Sequence, residues 1–470
     1  MRKPGDESHA AGTNQANLKD SAKLAKKLAS HLRVPVLSGA RQVARFGMDF
    51  GGIHGKTPML AVRATGEHDV LTTLEFARDH NLPVVVQGSG CSVNGQSLSD
   101  NGILLSFVSN KTPKLCLEQG RVKLPANSRW GKVETALARD KRKTPVLADN
   151  LSLTVGGTLS VGGYGIDSLR YGSQVSQVRK IRLIRPNGEV HWCTRTQNTD
   201  LYRYALAGLG RLGVIEQAEI NTVARSRFPV HFSFRHKNLH ELGASLEWLR
   251  EGPTDRPDFF KAFQARGNTI SVFGRYTNSL GAARACRLQA PLDKRSGKSR
   301  LIAPWHRGGR SLAIKLWVAR FGLSRRLWSD FIVDYQGLLT LLDVIENLRR
   351  TGDFDDCLKS IYILAVAKPD QPEDIPMDPA SRLPDPVNFG IGLYSMIPRN
   401  NEAALARNKK AVAVCLDACL ASGGRPYLYG WHELPDQIQQ DIYGADLKVL
   451  NQLRQQGDPV GIFRAPKIIC

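Results

Sequence analysis

Cys91 and Asp149 are the side chains whose surroundings could support chemistry, because each sits in or ahead of a run of small residues. Cys91 lies inside Gln87-Gly-Ser-Gly-Cys-Ser-Val-Asn-Gly-Gln96. Glycines at 88, 90 and 95 remove side chains and admit positive φ, so successive backbone N–H groups can converge. Such a concave turn can neutralise a diphosphate through main-chain amides, with no lysine. A thiolate held there would be a competent nucleophile, since N–H dipoles favour the charged form. Asp149 precedes Leu153-Thr-Val-Gly-Gly-Thr-Leu-Ser160 and stands eight residues before Gly157. Taken alone, Asp149-Asn150 is also a pair that starts turns.

Other chemistries fit less well. A dinucleotide fingerprint needs a glycine at 93 and a helix starting inside the motif; Val93 and the Ser/Asn-rich continuation supply neither. Gly55-Lys56-Thr57 looks like the end of a P-loop, yet Phe50 occupies the required glycine position and Pro58 follows. His54, His191 and His432 lie far apart in strand-like or loop contexts, so no metal site is expected. No GxSxG elbow or Ser-His-Asp order points to hydrolysis.

The elements that must position these groups are legible nearby. Leu82-Pro-Val-Val-Val86 is short, apolar and β-branched, and reads as a buried strand feeding the glycine turn. Met59-Leu-Ala-Val-Arg63 reads as an earlier strand. Between them Val70, Leu71, Leu74, Phe76 and Ala77 mark one helical face, with Asn81 as the stop. Strand, helix and strand make an α/β unit with a right-handed crossover. Ile181–Leu183 and Val190–Cys193 read as a hairpin turned at Asn187-Gly188. Leu206–Ile215 supplies further close-approach glycines before a strand. Near the start, Ala22, Leu24, Ala25, Leu28, Ala29 and Leu32 recur at helical spacing with lysines opposite, behind an Asp20/Ser21 cap.

At 470 residues and 42% hydrophobic, the chain can form two or three domains with cores. It has no run of 18 apolar residues and no apolar signal region. Eight scattered cysteines without a CxxC pair read as reduced thiols, which sets the expectation of a cytoplasmic protein. The net charge of +22 is concentrated in part between Lys294 and Arg326, where Trp305, Trp317 and Phe321 are interleaved. A solvated insertion is the plain reading of that segment, and peripheral contact with an anionic membrane is the sharper one. No zinc-finger, RRM or helix-turn-helix signature supports nucleic acid as a partner.

Taken in order, five segments resemble the flavin-linked oxidases of the vanillyl-alcohol-oxidase/p-cresol-methylhydroxylase (PCMH) superfamily, and within it cytokinin dehydrogenases most. They are the Gly88–Gln96 loop, Asp149 with Leu153–Ser160, Arg170-Tyr-Gly-Ser-Gln-Val-Ser176, Gly208-Leu-Gly-Arg-Leu-Gly-Val-Ile215, and Asp458-Pro-Val-Gly-Ile-Phe463. The likeness is good over about 45 to 220, loose over the last 45 residues and slight between about 225 and 400.

The resemblance implies an α+β, two-domain PCMH-type FAD-binding protein with an antiparallel-sheet substrate (cap) domain. An N-terminal extension and helix (1–34) would precede the FAD-binding domain (35–222). The cap (223–429) would follow, and residues 430–470 would return to the FAD domain. Backbone around Gly88, Gly90, Cys91 and Ser92, with Gln96, would hold the FAD phosphates. Thr154, Gly156, Gly157, Ser160 and Ile215 would contact the rest of the cofactor, and Tyr427 would close the site. Asp149 would be the catalytic base. It would draw a proton from an amine N–H while hydride leaves the adjacent carbon for the flavin, and the resulting imine would hydrolyse to amine and aldehyde. For an adenine N6-isoprenoid the products would be adenine and an unsaturated aldehyde. The electron acceptor would be oxygen or a quinone.

Three departures from the family pattern stand out. Its covalently linked histidine is replaced by Cys91, which leaves an 8α-S-cysteinyl link and dissociable FAD both open. Its C-terminal Ser-Pro-Gly-Gln becomes Arg464-Ala-Pro-Lys467, which would put Lys467 near the flavin N1/C2=O edge. Its acidic residue at the pocket mouth has no counterpart unless Asp258 substitutes, so another amine, an alcohol, or a catalytically silent flavin-binding protein stand as alternatives.

Overall fold

A computed structural model describes residues 20–250, 256–265, 267–286, 298–301, 316, 324–368 and 375–463. Among them the strands form four sheets. The first contains β1 (Val36–Ser38), β2 (Leu60–Ala64), β3 (Val84–Gln87) and β4 (Ile103–Phe107), in the order β1-β2-β4-β3. β2 and β3 both run parallel to β4, so the connection between them steps over the place that β4 later fills. All five residues of β4 are buried, as expected of a parallel strand covered on both faces. That strand is not foreseen in the sequence, where Ile103-Leu-Leu-Ser-Phe107 is too short to separate from a buried helical turn.

The helix Glu67–Asp79 joins β2 to β3 and buries Val70, Leu74, Phe76 and Ala77 as expected. Its first turn is held by the Asp69 carboxylate, which accepts from the Thr65 N–H at 2.8 Å and the Thr65 hydroxyl at 2.9 Å. Asn81 takes a left-handed φ of 49° and ends the element. Residues 20–29 are helical and bury Leu28 completely against this layer, together with Ala25 and Leu32. Asp20 is already helical, so the cap expected there does not form.

The second sheet holds β5 (Leu117–Glu118), β6 (Arg121–Pro125), β8 (Val178–Ile184), β9 (Val190–Cys193) and β10 (Val214–Asn221), in the order β5-β6-β10-β8-β9. β8 and β9 form the expected hairpin, with Gly188 at φ 93°. β7 (Arg142–Lys143) and β11 (Val223–Ala224) make a two-stranded ribbon beside it.

The third sheet has eight strands and is antiparallel throughout. It comprises β12 (Phe228–His236), β13 (Phe259–Ala265), β14 (Asn268–Thr277), β15 (Lys298–Leu301), β16 (Arg325–Val333), β17 (Leu358–Ala367), β18 (Val387–Ile397) and β19 (Arg425–Pro426), in the order β15-β12-β14-β13-β17-β18-β16-β19. Period-two alternation gives this sheet two different faces. Leu327, Phe331 and Val333 of β16 are buried beneath the helices Tyr335–Arg350 and Glu402–Ala421. Trp328, Asp330 and Ile332 point the other way, into a cavity.

After the helix Asp436–Gly457 the chain returns to the first sheet. The Val84 N–H donates to the Ile462 carbonyl at 2.7 Å, and Val84 bridges Phe463 in parallel. The buried Asp458 carboxylate fixes that turn by accepting from the Ile462 and Phe463 amides, each at 2.8 Å. No described helix is long and apolar enough to cross a membrane. Described Cys91, Cys116, Cys193, Cys286, Cys357, Cys415 and Cys419 are all free thiols. Most of the basic stretch 294–326, including Trp305, Trp317 and Phe321, lies outside the described residues, as does Lys467.

Candidate active site

One cavity of about 710 Å³ runs between the glycine turn and the Trp328–Ile332 face of the third sheet. Twelve of the thirteen residues singled out in the sequence line it: Gly88, Gly90, Cys91, Ser92, Gln96, Asp149, Thr154, Gly156, Gly157, Ser160, Ile215 and Tyr427. Lys467 is the thirteenth.

The turn after β3 is built for close approach. Gly90 has φ 64°, a conformation that other residues rarely adopt. Gly88 has a different reason for its missing side chain, since a Cβ there would run into the Thr154 hydroxyl. Thr154 caps the short helix Val155–Leu159 by accepting from the Gly157 N–H at 3.3 Å. The two small-residue segments therefore touch each other as well as the cavity. Gly156 packs on Ala126 in the same manner. The amides of Ser89, Gly90, Cys91 and Ser92 donate to no described protein acceptor. Unpaired amides on a concave turn suit an anionic ligand such as the diphosphate of FAD. The residues present fit that cofactor.

Gln96 lines the same wall, but its side chain serves the fold. Its amide donates to the carbonyls of Leu428 at 2.9 Å and Tyr429 at 3.1 Å, while its own oxygen accepts from the Asn94 N–H. The Ser160 hydroxyl donates to the Gly156 carbonyl at 2.8 Å. Tyr427 accepts from the Gly163 N–H at 3.0 Å and packs edge-on against Tyr164. It is thus anchored at the seam between the glycine segment and the strand-end loop.

Asp149 sits on a bend, not at a helix start, and its carboxylate accepts from the Tyr362 hydroxyl at 2.8 Å. Tyr362 belongs to β17, 213 positions away, so the base expected from sequence is oriented by the third sheet. Cys91 departs from expectation. Burial pushes its thiol up from the ordinary value, and this outweighs the opposing pull of Arg129 and of the Asn150 amide. The activation expected from N–H dipoles does not prevail, because the side chain is enclosed.

Asp258 does not reach the cavity. It pairs with Arg170 and accepts from the Tyr276 N–H at 2.6 Å, so it cannot serve as the acid at the pocket mouth.

Several cavity residues escaped sequence reasoning. The row Phe263, Tyr362, Gly392 and Asp330 runs across four neighbouring strands in direct register, with every member on the cavity face. Asp330 is enclosed; its Oδ1 accepts from the Tyr394 hydroxyl at 3.3 Å and its Oδ2 has no partner among the described residues. Burial raises its carboxyl to about 7, against the opposing influence of the neighbouring Tyr429 and Tyr394 hydroxyls. A cue existed, since an acid on the Trp328–Ile332 face interrupts an otherwise apolar set.

Comparison with known proteins agrees with this geometry. Residues 58–194 match the FAD binding domain. A segment of 194 residues is 34% identical to an uncharacterized oxidoreductase, ORF5 of the fasciation locus, from Rhodococcoides fascians, covering 41% of this chain and 44% of that protein. Cytokinin dehydrogenase 9 of Oryza sativa subsp. japonica is 31% identical over 185 residues, 38% of this chain and 36% of the relative. Cytokinin dehydrogenase 2 of Arabidopsis thaliana is 32% identical over 175 residues, 37% and 35% respectively. The chain thus spans less than half the length of each of these relatives. The matches are consistent with a PCMH-type FAD oxidase similar to cytokinin dehydrogenase, and the cofactor is FAD.

Proposed function

We propose, from the premise that residues 58–194 are an FAD binding domain, that the protein is an FAD-dependent oxidoreductase acting on the C–N bond of a secondary amine. In this reading residues 35–222 and 430–470 hold the cofactor and residues 223–429 cap it. The bound flavin supplies the two-electron acceptor for a hydride. The observation that carries the reading is the Asp149 carboxylate, held by Tyr362 on the wall of the same cavity as the free amides of the glycine turn.

Tyr362 fixes one oxygen of Asp149, which orients the carboxylate toward the cavity. Asp149 accepts the proton of the substrate N–H, so the nitrogen lone pair can drive hydride from the neighbouring carbon. The organic product is an imine; water adds to it and gives a primary amine and an aldehyde. Trp328, Tyr394 and Tyr429 wall the cavity with aromatic surface, which suits a flat substrate and limits water. An adenine carrying an N6 side chain fits this chemistry, as the names of the cytokinin dehydrogenase relatives suggest. The electron acceptor would be oxygen or a quinone.

Anaerobic mixing of the FAD-loaded protein with isopentenyladenine should bleach the oxidised flavin. Asp149→Asn should retain FAD and slow that bleaching about a thousandfold. Absence of bleaching with every N6-substituted adenine would eliminate the adenine substrate. The engagement of Asp258 with Arg170 favours a second reading, an oxidase of another amine or an alcohol.

A further inference from the structure

The third sheet places a second carboxyl in the cavity that the proton transfer does not use. Tyr362, Gly392 and Asp330 are direct register partners on β17, β18 and β16. Gly392 leaves room between the two side chains; a Cβ there would lie 2.5 Å from Asp330 Oδ1 and 2.8 Å from Tyr394 Oη. The Asp330 carboxyl and the Tyr394 hydroxyl therefore occupy the floor over Gly392, one strand from the tyrosine that holds Asp149. Trp328 packs on Tyr394 with ring centroids 5.1 Å apart, and Tyr429 packs on Tyr427 at 5.0 Å. A carboxylate enclosed by aromatic rings is costly unless a cation meets it, and the same ring faces attract cations.

We infer that Asp330 is a specificity-determining residue that receives a protonated nitrogen of the substrate, distinct from the nitrogen whose C–N bond is oxidised at Asp149. The inference rests on the amine-oxidation reading and names its substrate class as an amine with a second, cationic nitrogen. An N6-substituted adenine, neutral at the pH where Asp330 is ionised, lies outside that class, so the inference sides with the reading of another amine. Asp330 must be ionised to hold such a group. The titratable groups facing it are Tyr394 on β18, Tyr427 and Tyr429 on the segment after β19, and Asp149 with Tyr362 on the far side of Gly392, while the His432 ring packs on Phe331 and meets only the Asp330 main chain. Burial raises Tyr394, Tyr427 and Tyr429 above the usual phenol range and lowers His432 to about 4. Preference for the dication should therefore grow as pH rises through about 7.

The test compares N-benzylputrescine with N-benzylbutylamine, which differ by one terminal amine. Dithionite-reduced holoenzyme binds either without turnover, and titration calorimetry under nitrogen gives both affinities. Effects at Asp149 or on the shared secondary amine cancel in their ratio. The diamine should bind at least about ten-fold more tightly at about pH 8, and the preference should shrink toward about pH 6. Asp330→Asn should bring the ratio near one at every pH. A ratio near one in the unaltered protein, a pH-independent ratio, or a preference that survives Asp330→Asn would overturn the inference. The pH profile decides the matter even if the variant does not fold. Bleaching of oxidised flavin by both amines without an Asp330-dependent preference would leave amine oxidation standing alone. An Asp330-dependent preference without bleaching would remove amine oxidation and keep the cation site.

Discussion

At the scale of single residues, the cavity shows how enclosure reorders acid–base behaviour. Cys91 would be a nucleophile only as a thiolate, and burial works against that form. Acid precipitation of the yellow protein should therefore release flavin into the supernatant, and Cys91→Ser should leave the amount bound unchanged. Flavin that stays with the pellet in the parent and not in the variant would establish a thioether instead. Asp330 makes the opposite kind of prediction. Its folded value of about 7 lies above the ordinary 3.8, so the native state holds a proton that the unfolded chain has already lost. Its contribution is most favourable below about pH 4 and diminishes as pH rises toward 7, by on the order of 4 kcal/mol at most. Denaturant midpoints should fall less steeply over that window in Asp330→Asn than in the parent. Parallel curves would show that the carboxyl ionises normally.

At the scale of elements, the glycine turn and the Val155–Leu159 helix form one interlocked unit. Gly88→Ala drives a methyl group into the Thr154 hydroxyl that caps the helix. The expected outcome is destabilisation of about 1–3 kcal/mol and weaker FAD retention on gel filtration. Adding Thr154→Ala should recover part of the retention by vacating the space, although it sacrifices the cap. This interlock also shows what the sequence could and could not reveal. The strand-helix-strand unit over residues 60–87 is legible because Val70, Leu74 and Ala77 share one helical face and β-branched residues mark the strands. The glycines are legible as close approach, but not which partner approaches; Gly88 faces Thr154 and Gly156 faces Ala126. Asp149 is identifiable by spacing, whereas Tyr362 is not, because its bond to Asp149 depends on pairing between distant strands. Asp330 is visible in the sequence only as an acid interrupting an apolar face; its place in a row with Tyr362 is decided by strand register.

At the scale of the whole molecule, the cavity draws on distant stretches of chain, including residues near 90, 150, 210, 330, 360, 390 and 428. Its integrity thus depends on tertiary closure more than on any local motif. The tail is the sensitive point. Asp458→Ala deletes two charge-assisted hydrogen bonds that seat Ile462 and Phe463 beside Val84. We expect a loss of about 2–4 kcal/mol and a parallel loss of bound flavin, measured by thermal unfolding with and without added FAD. Unchanged flavin content in a folded Asp458→Ala protein would show that the tail is dispensable for the cofactor.

The pairing of Val84 with Phe463 also sets an order of events during synthesis. The strand that leads into the glycine turn leaves the ribosome hundreds of residues before its partner exists. At ordinary translation rates that interval lasts on the order of tens of seconds. Throughout it the edge of β3 has no mate, which exposes the nascent chain to mispairing and makes chaperone protection valuable. Loading of the cofactor then has to wait for residues 462 and 463, and a chain stalled anywhere before residue 462 should emerge colourless.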